Sequence, residues 1–134
     1  MTEHPIAAWH RMAEARDPTG LAELIDETAV FHSPVVHTPQ AGRALVVMYL
    51  SAAFKVFFSP NFRYVREIIG EHDAVLEFET ELDGVMVNGV DLIRWSEAGH
   101  ITDFKVMLRP AKALQAVQAR MAVMLTSISD QKVR

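Results

Sequence analysis

The sequence predicts an α+β fold, with N-terminal helices, a curved antiparallel β-sheet wrapped around them and a C-terminal helix. Three features predict it. Apolar residues recur at three- and four-residue intervals in the segments before Phe62, the spacing of a helix face. From Phe62 the pattern changes to alternation, clearest in Val75-Leu-Glu-Phe-Glu-Thr-Glu-Leu82. Beyond Pro110 the helical interval returns, with Leu114, Val117, Met121, Met124 and Ile128 at alternating spacings of three and four.

The elements follow in order. Residues 6–16 set Ile6, Trp9, Met12 and Ala13 against Arg11, Glu14 and Arg16, which predicts an amphipathic helix. Asp17-Pro-Thr-Gly20 ends it, and Asp17 before Pro18 reads as an N-cap and an N1 proline for a short second helix over Leu21–Asp26. Ala29-Val-Phe-His-Ser33 is a strand stopped by Pro34, and Pro39 with Gly42 closes a loop. A third helix over Arg43–Phe58 aligns Leu45, Met48, Tyr49, Ala52, Ala53 and Val56 along one broad face. In the strand Val75–Leu82, Leu76, Phe78, Thr80 and Leu82 point one way and Glu77, Glu79 and Glu81 the other. Asp83-Gly84 is a hairpin signal, and strands over 85–95 and 100–108, joined through Glu97-Ala-Gly99, complete a meander.

With 134 residues, half of them hydrophobic, the chain has the size of one domain: residues 1–110 form its body and 111–134 a helical extension. A net charge of −4 and the lack of any Lys/Arg-rich segment argue against a nucleic-acid partner. No cysteine is present, which excludes disulfides, thiolate chemistry and cysteine-based zinc sites. The first residues carry neither the basic nor the long apolar region of a signal peptide, and no apolar run approaches the ~18 residues of a membrane span. A cytoplasmic protein with no membrane partner is expected.

Asp91 is the residue that asks for chemistry. It shares its alternation phase with Ile93 and Trp95, so it is expected on the apolar face of its strand, where a carboxylate must be paired, protonated or functional. Ser33, His32 and His37 form a second cluster at a loop edge; alternation from Phe31 turns Ser33 inward and His32 outward. A histidine reaching a pocket can serve as base or acid. His32 and His37 lack the i, i+4 spacing of a helical metal pair and Pro34 lies between them, so no metal site is expected. The ladder Glu77, Glu79 and Glu81 lies on a polar face that Arg94 and Lys105 share in their own strands, so cross-strand ion pairs or a dimer contact explain it.

Taken together, Asp17-Pro-Thr-Gly-Leu21, Ala29-Val-Phe-His-Ser-Pro34, Gly42, Val90-Asp-Leu-Ile-Arg-Trp95 and Gly99-His-Ile-Thr-Asp103 resemble, in order and spacing, the nuclear transport factor 2-like superfamily. Its members include the SnoaL-like polyketide cyclases, ketosteroid isomerase, scytalone dehydratase and limonene epoxide hydrolase. The resemblance covers about residues 5–110. It implies a cystatin-like, cone-shaped α+β barrel enclosing a pocket between sheet and helices, in a homodimer that pairs the outer sheet faces. It does not imply one reaction. Against ketosteroid isomerase, Asp91 matches the aspartic acid kept neutral to donate a hydrogen bond. The oxyanion-hole tyrosine falls on Trp9, and the general-base aspartate on Ser33, which cannot remove a carbon-bound proton at neutral pH. Against limonene epoxide hydrolase, the last-strand tryptophan and aspartate fall on Phe104 and Val106.

The expected site is thus an apolar pocket for a small hydrophobic molecule, with Asp91, His37 and His32 as candidate acid–base residues. Trp9, Ser33, Phe54, Phe78, Ile93, Phe104 and Val106 are its candidate wall. Isomerisation, cyclisation or dehydration would fit, and none of these needs a cofactor. The competing expectation is a non-catalytic ligand-binding or dimerisation module. For the tail, with Met121 and Met124 on its apolar stripe, three arrangements stay open: packing on its own barrel, a lid, or exchange with a dimer partner.

Overall fold

The computed structural model describes residues 3–133, with side chains described through Ile128. Helix α1 spans Pro5–Ala15; its first turn is capped by the His4 imidazole, which accepts from Ile6 N at 3.1 Å, and it ends at Arg16 in the left-handed conformation. Asp17 caps a 3-10 turn over Pro18–Gly20 by accepting from Thr19 N, as its place before a proline predicts. Helix α2 spans Leu21–Leu24, two residues shorter than its apolar spacing suggested. Ile25 is already extended, fully buried and paired with Ile101, so sheet pairing outbids the helix there.

Strand β1 spans Ile25–His32, β2 Gln40–Ala41, and helix α3 Arg43–Phe57. Strands β3 (Arg63–Ile69), β4 (Asp73–Leu82), β5 (Val85–Trp95) and β6 (Ile101–Arg109) follow, and helix α4 runs over Ala111–Val133. The sheet order is β2-β1-β6-β5-β4-β3. The β3–β6 meander is antiparallel throughout, whereas β1 lies parallel to β6. That parallel pair departs from the all-antiparallel expectation. The two strands are joined through α3 and the whole meander rather than by a hairpin, so no tight turn dictates their direction. At the β4–β5 hairpin, Asp83 and Gly84 both take positive φ, 53° and 80°, as a two-residue turn with the native twist requires.

One face of the sheet packs against α1 and α3: Trp9 of α1 lies 4.8 Å from Phe104 of β6, ring centre to ring centre, and Phe57 of α3 5.6 Å from Phe78 of β4. The other face carries the glutamate ladder. Glu77 meets Arg66 at 2.8 Å and Glu79 lies 3.8 Å from Arg63, so the cross-strand partners come from β3; Arg94 turns to Asp73. Helix α4 packs on α3 and on β4, β5 and β6 of its own sheet, burying Ala113 and Val117 with Met121 and Met124 partly covered.

Candidate active site

Strand β5 alternates without interruption from Val87 to Ile93, which turns Val87, Gly89, Asp91 and Ile93 toward the helices. Asp91 sits between Leu76 of β4 and Val106 of β6 and is only 5% exposed. Among the described residues it has one hydrogen-bond partner: Tyr64 Oη donates to its Oδ2 at 2.8 Å. Tyr64 Oη in turn accepts from the Trp9 indole Nε1 at 2.8 Å. Three residues from α1, β3 and β5 thus form one chain, and its directions are fixed because the indole can only donate.

The electrostatics follow from burial. Desolvation pushes the Asp91 carboxyl from its ordinary 3.8 up to about 7, against the pull of the Tyr64 hydrogen bond, which favours the anion. Burial first, and the neighbouring Asp91 charge second, hold the Tyr64 phenol well above the ordinary range. A protonated Asp91 accepts from Tyr64 at Oδ2 and keeps its own proton on Oδ1, available to a third group. This is an acid poised near neutrality in a dry setting.

That setting is an aromatic chamber. Trp9, Phe54, Phe78, Phe104 and Val106 gather around Asp91 with further phenylalanines, leaving about 30 Å³ free, one water's share. Edge-to-face contacts link its rings: Trp9–Phe54 at 5.2 Å, Phe54–Phe58 at 4.6 Å and Phe58–Phe62 at 4.7 Å. Gly89 belongs to this packing, because a Cβ there would meet Leu108 at 2.5 Å and Phe78 at 2.6 Å. Outside, between α1 and β3, lies an open groove of about 580 Å³ walled by His10, Arg16, Arg63, Tyr64 and Glu67. Phe58 and Phe62 are half-buried and belong to both spaces, forming the partition between them.

Five of the expected wall residues therefore surround Asp91, while Ile93, two positions along β5, is buried core rather than chamber surface. His32, Ser33 and His37 are not brought to Asp91. They border a separate recess of about 380 Å³ beside Lys105 and Leu114. His32 Nε2 lies 3.1 Å from Asp103 Oδ2, and His37 is exposed. Ser33 Oγ accepts from Val35 N and Val36 N at 3.1 and 3.3 Å. The cause is local: β1 ends at His32, and Ser33 with Pro34 turns the chain, so the hydroxyl serves the turn instead of continuing the alternation. The residue that sequence reasoning missed is Tyr64. Its signal was present, since Phe62 and Tyr64 flank Arg63 as two aromatics of one phase at the start of a strand.

The family model described as SnoaL-like domain matches residues 6–104. The chain belongs to the SnoaL-like family. Within the nuclear transport factor 2-like superfamily, this SnoaL-like chain is similar to a crystal structure of a steroid delta-isomerase from Pseudomonas aeruginosa. The two are 37% identical, with 94% of this chain and 92% of that one covered and a TM-score of 0.89. An uncharacterized protein with a cystatin-like fold from Silicibacter pomeroyi DSS-3 is 32% identical over 89% of this chain and 83% of its own, with a TM-score of 0.81. An NTF2-like protein of unknown function from Mesorhizobium loti, 24% identical over 79% and 88% with a TM-score of 0.69, shares the fold. No curated protein matches the chain.

Proposed function

We propose that this SnoaL-like protein binds a small hydrophobic carbonyl compound against Asp91 and carries out proton-transfer chemistry on it, isomerisation above all. The observation that carries the reading is Asp91 buried in an apolar chamber with Tyr64 as its partner; burial, against the pull of that hydrogen bond, keeps the acid protonated to about pH 7. Such an acid can donate from Oδ1 to a carbonyl oxygen and stabilise the charge that develops there as an α-proton leaves. Tyr64 and Trp9 hold the carboxyl in place. The similarity to a steroid delta-isomerase agrees with this class of reaction, and proton transfer of this kind draws on the side chains alone. The ligand enters through Phe58 and Phe62, since the chamber as packed has no room for it.

A non-catalytic binding module remains the second reading, because Asp91 is the one titratable side chain on the chamber wall among the described residues. Deuterium exchange at the α-carbons of 2-tetralone, followed by NMR in heavy water, separates the two. Exchange that falls at least ~100-fold in Asp91→Asn supports the enzyme. Binding of 2-naphthol without any exchange of 2-tetralone supports the module, and exchange unaffected by Asp91→Asn refutes a role for this acid. We further propose a homodimer through the outer sheet face. Ile68, Val75 and Leu92 form an apolar row across β3, β4 and β5 that Val90 and Met107 extend beside Glu77, with Lys105 opposite Leu92. A monomer in sedimentation equilibrium at micromolar concentration would refute that arrangement.

A further inference from the structure

The chamber supplies an acid but no base, and one carboxyl cannot both hold a carbonyl oxygen and take up the α-proton in the same step. We propose that His10, oriented by Glu67, is the proton acceptor, reaching the substrate across the Phe58–Phe62 partition. The inference rests on the carbonyl-isomerising function proposed above and adds to it the second member of the acid–base pair.

Four observations converge on His10. Its Nε2 contacts Glu67 Oε1, which leaves Nδ1 as the ring nitrogen not held by the carboxylate. The ring lies 5.0 Å, centre to centre, from Tyr64, whose hydroxyl holds Asp91, so base and acid flank the same tyrosine. His10, Tyr64 and Glu67 wall the 580 Å³ groove, and this groove shares Phe58 and Phe62 with the chamber. Rotation of those two half-buried rings joins the spaces into one site, within the range of about 300–1,000 Å³ usual for small-molecule pockets.

The fourth observation concerns how the sheet delivers Glu67. Tyr64 faces the helices opposite Phe78, and in a regular strand a residue three positions later would face away. The register of β3 on β4 shifts between Tyr64 and Arg66, so Arg66 falls opposite Glu77 on the outer face and Glu67 opposite Leu76 on the inner one. One extra residue thus turns both Tyr64 and Glu67 toward α1, the re-aiming that bulges beside active sites perform.

The geometry points to an enolisable ketone with an apolar ring body for the chamber and a more polar end for the groove, beside Arg16 and Arg63. In the first step the α C–H bond breaks and its proton bonds to His10 Nδ1. The C–H electron pair forms a C=C bond, and the carbonyl π pair moves to oxygen, which takes the Asp91 proton. In the second step, for a ketone that carries a β,γ double bond, the His10 proton returns to the γ-carbon and Asp91 recovers its own, so the double bond moves to the α,β position and nothing is oxidised or reduced.

The test uses full-length protein, 2-tetralone exchange as the rate and 2-naphthol affinity as the binding readout, since a naphthol has no α-proton to lose. His10→Ala is expected to slow exchange at least ~100-fold in kcat with KM and 2-naphthol Kd within about twofold, and added imidazole restores part of the rate. Glu67→Gln slows exchange less and keeps binding. His10→Gln, which keeps a polar side chain on α1, repeats the rate loss if the alanine variant folds poorly. Wild-type exchange in His10→Gln beside a loss in Asp91→Asn overturns the role of His10 and leaves the proposed function standing. Wild-type exchange in both variants overturns both, and a slow His10→Ala that imidazole does not rescue overturns direct proton acceptance.

Discussion

Asp91→Asn removes the titration of the buried acid while keeping its size and the oxygen that accepts from Tyr64. In the unfolded chain this carboxyl ionises near its ordinary 3.8, and in the folded chain burial keeps it protonated to about 7. A folded-state value above the unfolded one means that the folded chain holds the extra proton between them. The associated stability is therefore complete below about pH 4 and is lost as pH rises toward about 7, at ~1.4 kcal/mol per pH unit. Across the whole interval the loss comes to about 4 kcal/mol, a large share of the ~5–15 kcal/mol of a typical domain. Asparagine does not titrate. Asp17, Asp26 and Glu77, whose carboxyls are held below their ordinary values by hydrogen bonds, are common to both proteins and cancel in the difference. Urea unfolding of the two proteins between about pH 4 and about pH 8 is expected to show near-equal stabilities at the acid end. The advantage of Asp91→Asn then grows with pH and levels off above about pH 7. A difference that stays flat across this range, or a less stable Asp91→Asn at pH 8, would refute the claim that burial keeps Asp91 protonated.

Three further perturbations follow from the packing. Tyr64→Phe strands the Trp9 indole and Asp91 Oδ2 in a buried setting, at a cost of ~1–3 kcal/mol for each orphaned group, and removes the bond that opposes the rise of the Asp91 carboxyl. Its pH profile of stability, measured as above, is expected to shift upward. Thr80→Val replaces a buried hydroxyl that has no partner among the described residues by a methyl of nearly the same shape, so the thermal midpoint rises, by ~1 kcal/mol of stability or more. Gly89→Ala drives a Cβ into Leu108 and Phe78 and is expected to cost ~1–3 kcal/mol in calorimetry and to weaken 2-naphthol binding, because the ring that must give way lines the chamber.

What the sequence disclosed and what it hid divide along the regularity of the strands. Strand β5 keeps period two from Val87 to Ile93, so the inward turn of Asp91 was legible from Ile93 and Trp95 alone, and the hairpin at Asp83-Gly84 was legible from two residues that tolerate positive φ. Regularity fails at the ends of elements. Ser33 follows the alternation of β1 on paper, yet Pro34 turns the chain and the hydroxyl is spent on Val35 N and Val36 N. In β3 the failure is an inserted residue, and no periodic reading can predict that Tyr64 and Glu67, three apart, share a face. The resemblance set Trp9 at the oxyanion-hole tyrosine's place; in the structure its indole donates to Tyr64, which reaches Asp91 from a different element.

The state of the acid and the closure of the chamber are one property. Asp91 stays protonated toward neutrality because aromatic rings exclude water from around it, and the same rings leave space for no more than about one water. Any route that let water in permanently would relieve the desolvation and return the carboxyl toward its ordinary range, so an open pocket would hold a weaker donor. The partition formed by Phe58 and Phe62 reconciles these demands: it faces an aqueous groove on one side and the dry chamber on the other, and a hydrophobic ligand can replace ring contacts with its own apolar surface without admitting solvent. It follows that Phe62→Ala, which opens the partition, is expected to lower the pH at which Asp91 titrates. In the unfolding comparison with Asp91→Asn in the same background, the growing gap then ends at lower pH. An unchanged plateau in that pair would show that the rings close the chamber without controlling its acid.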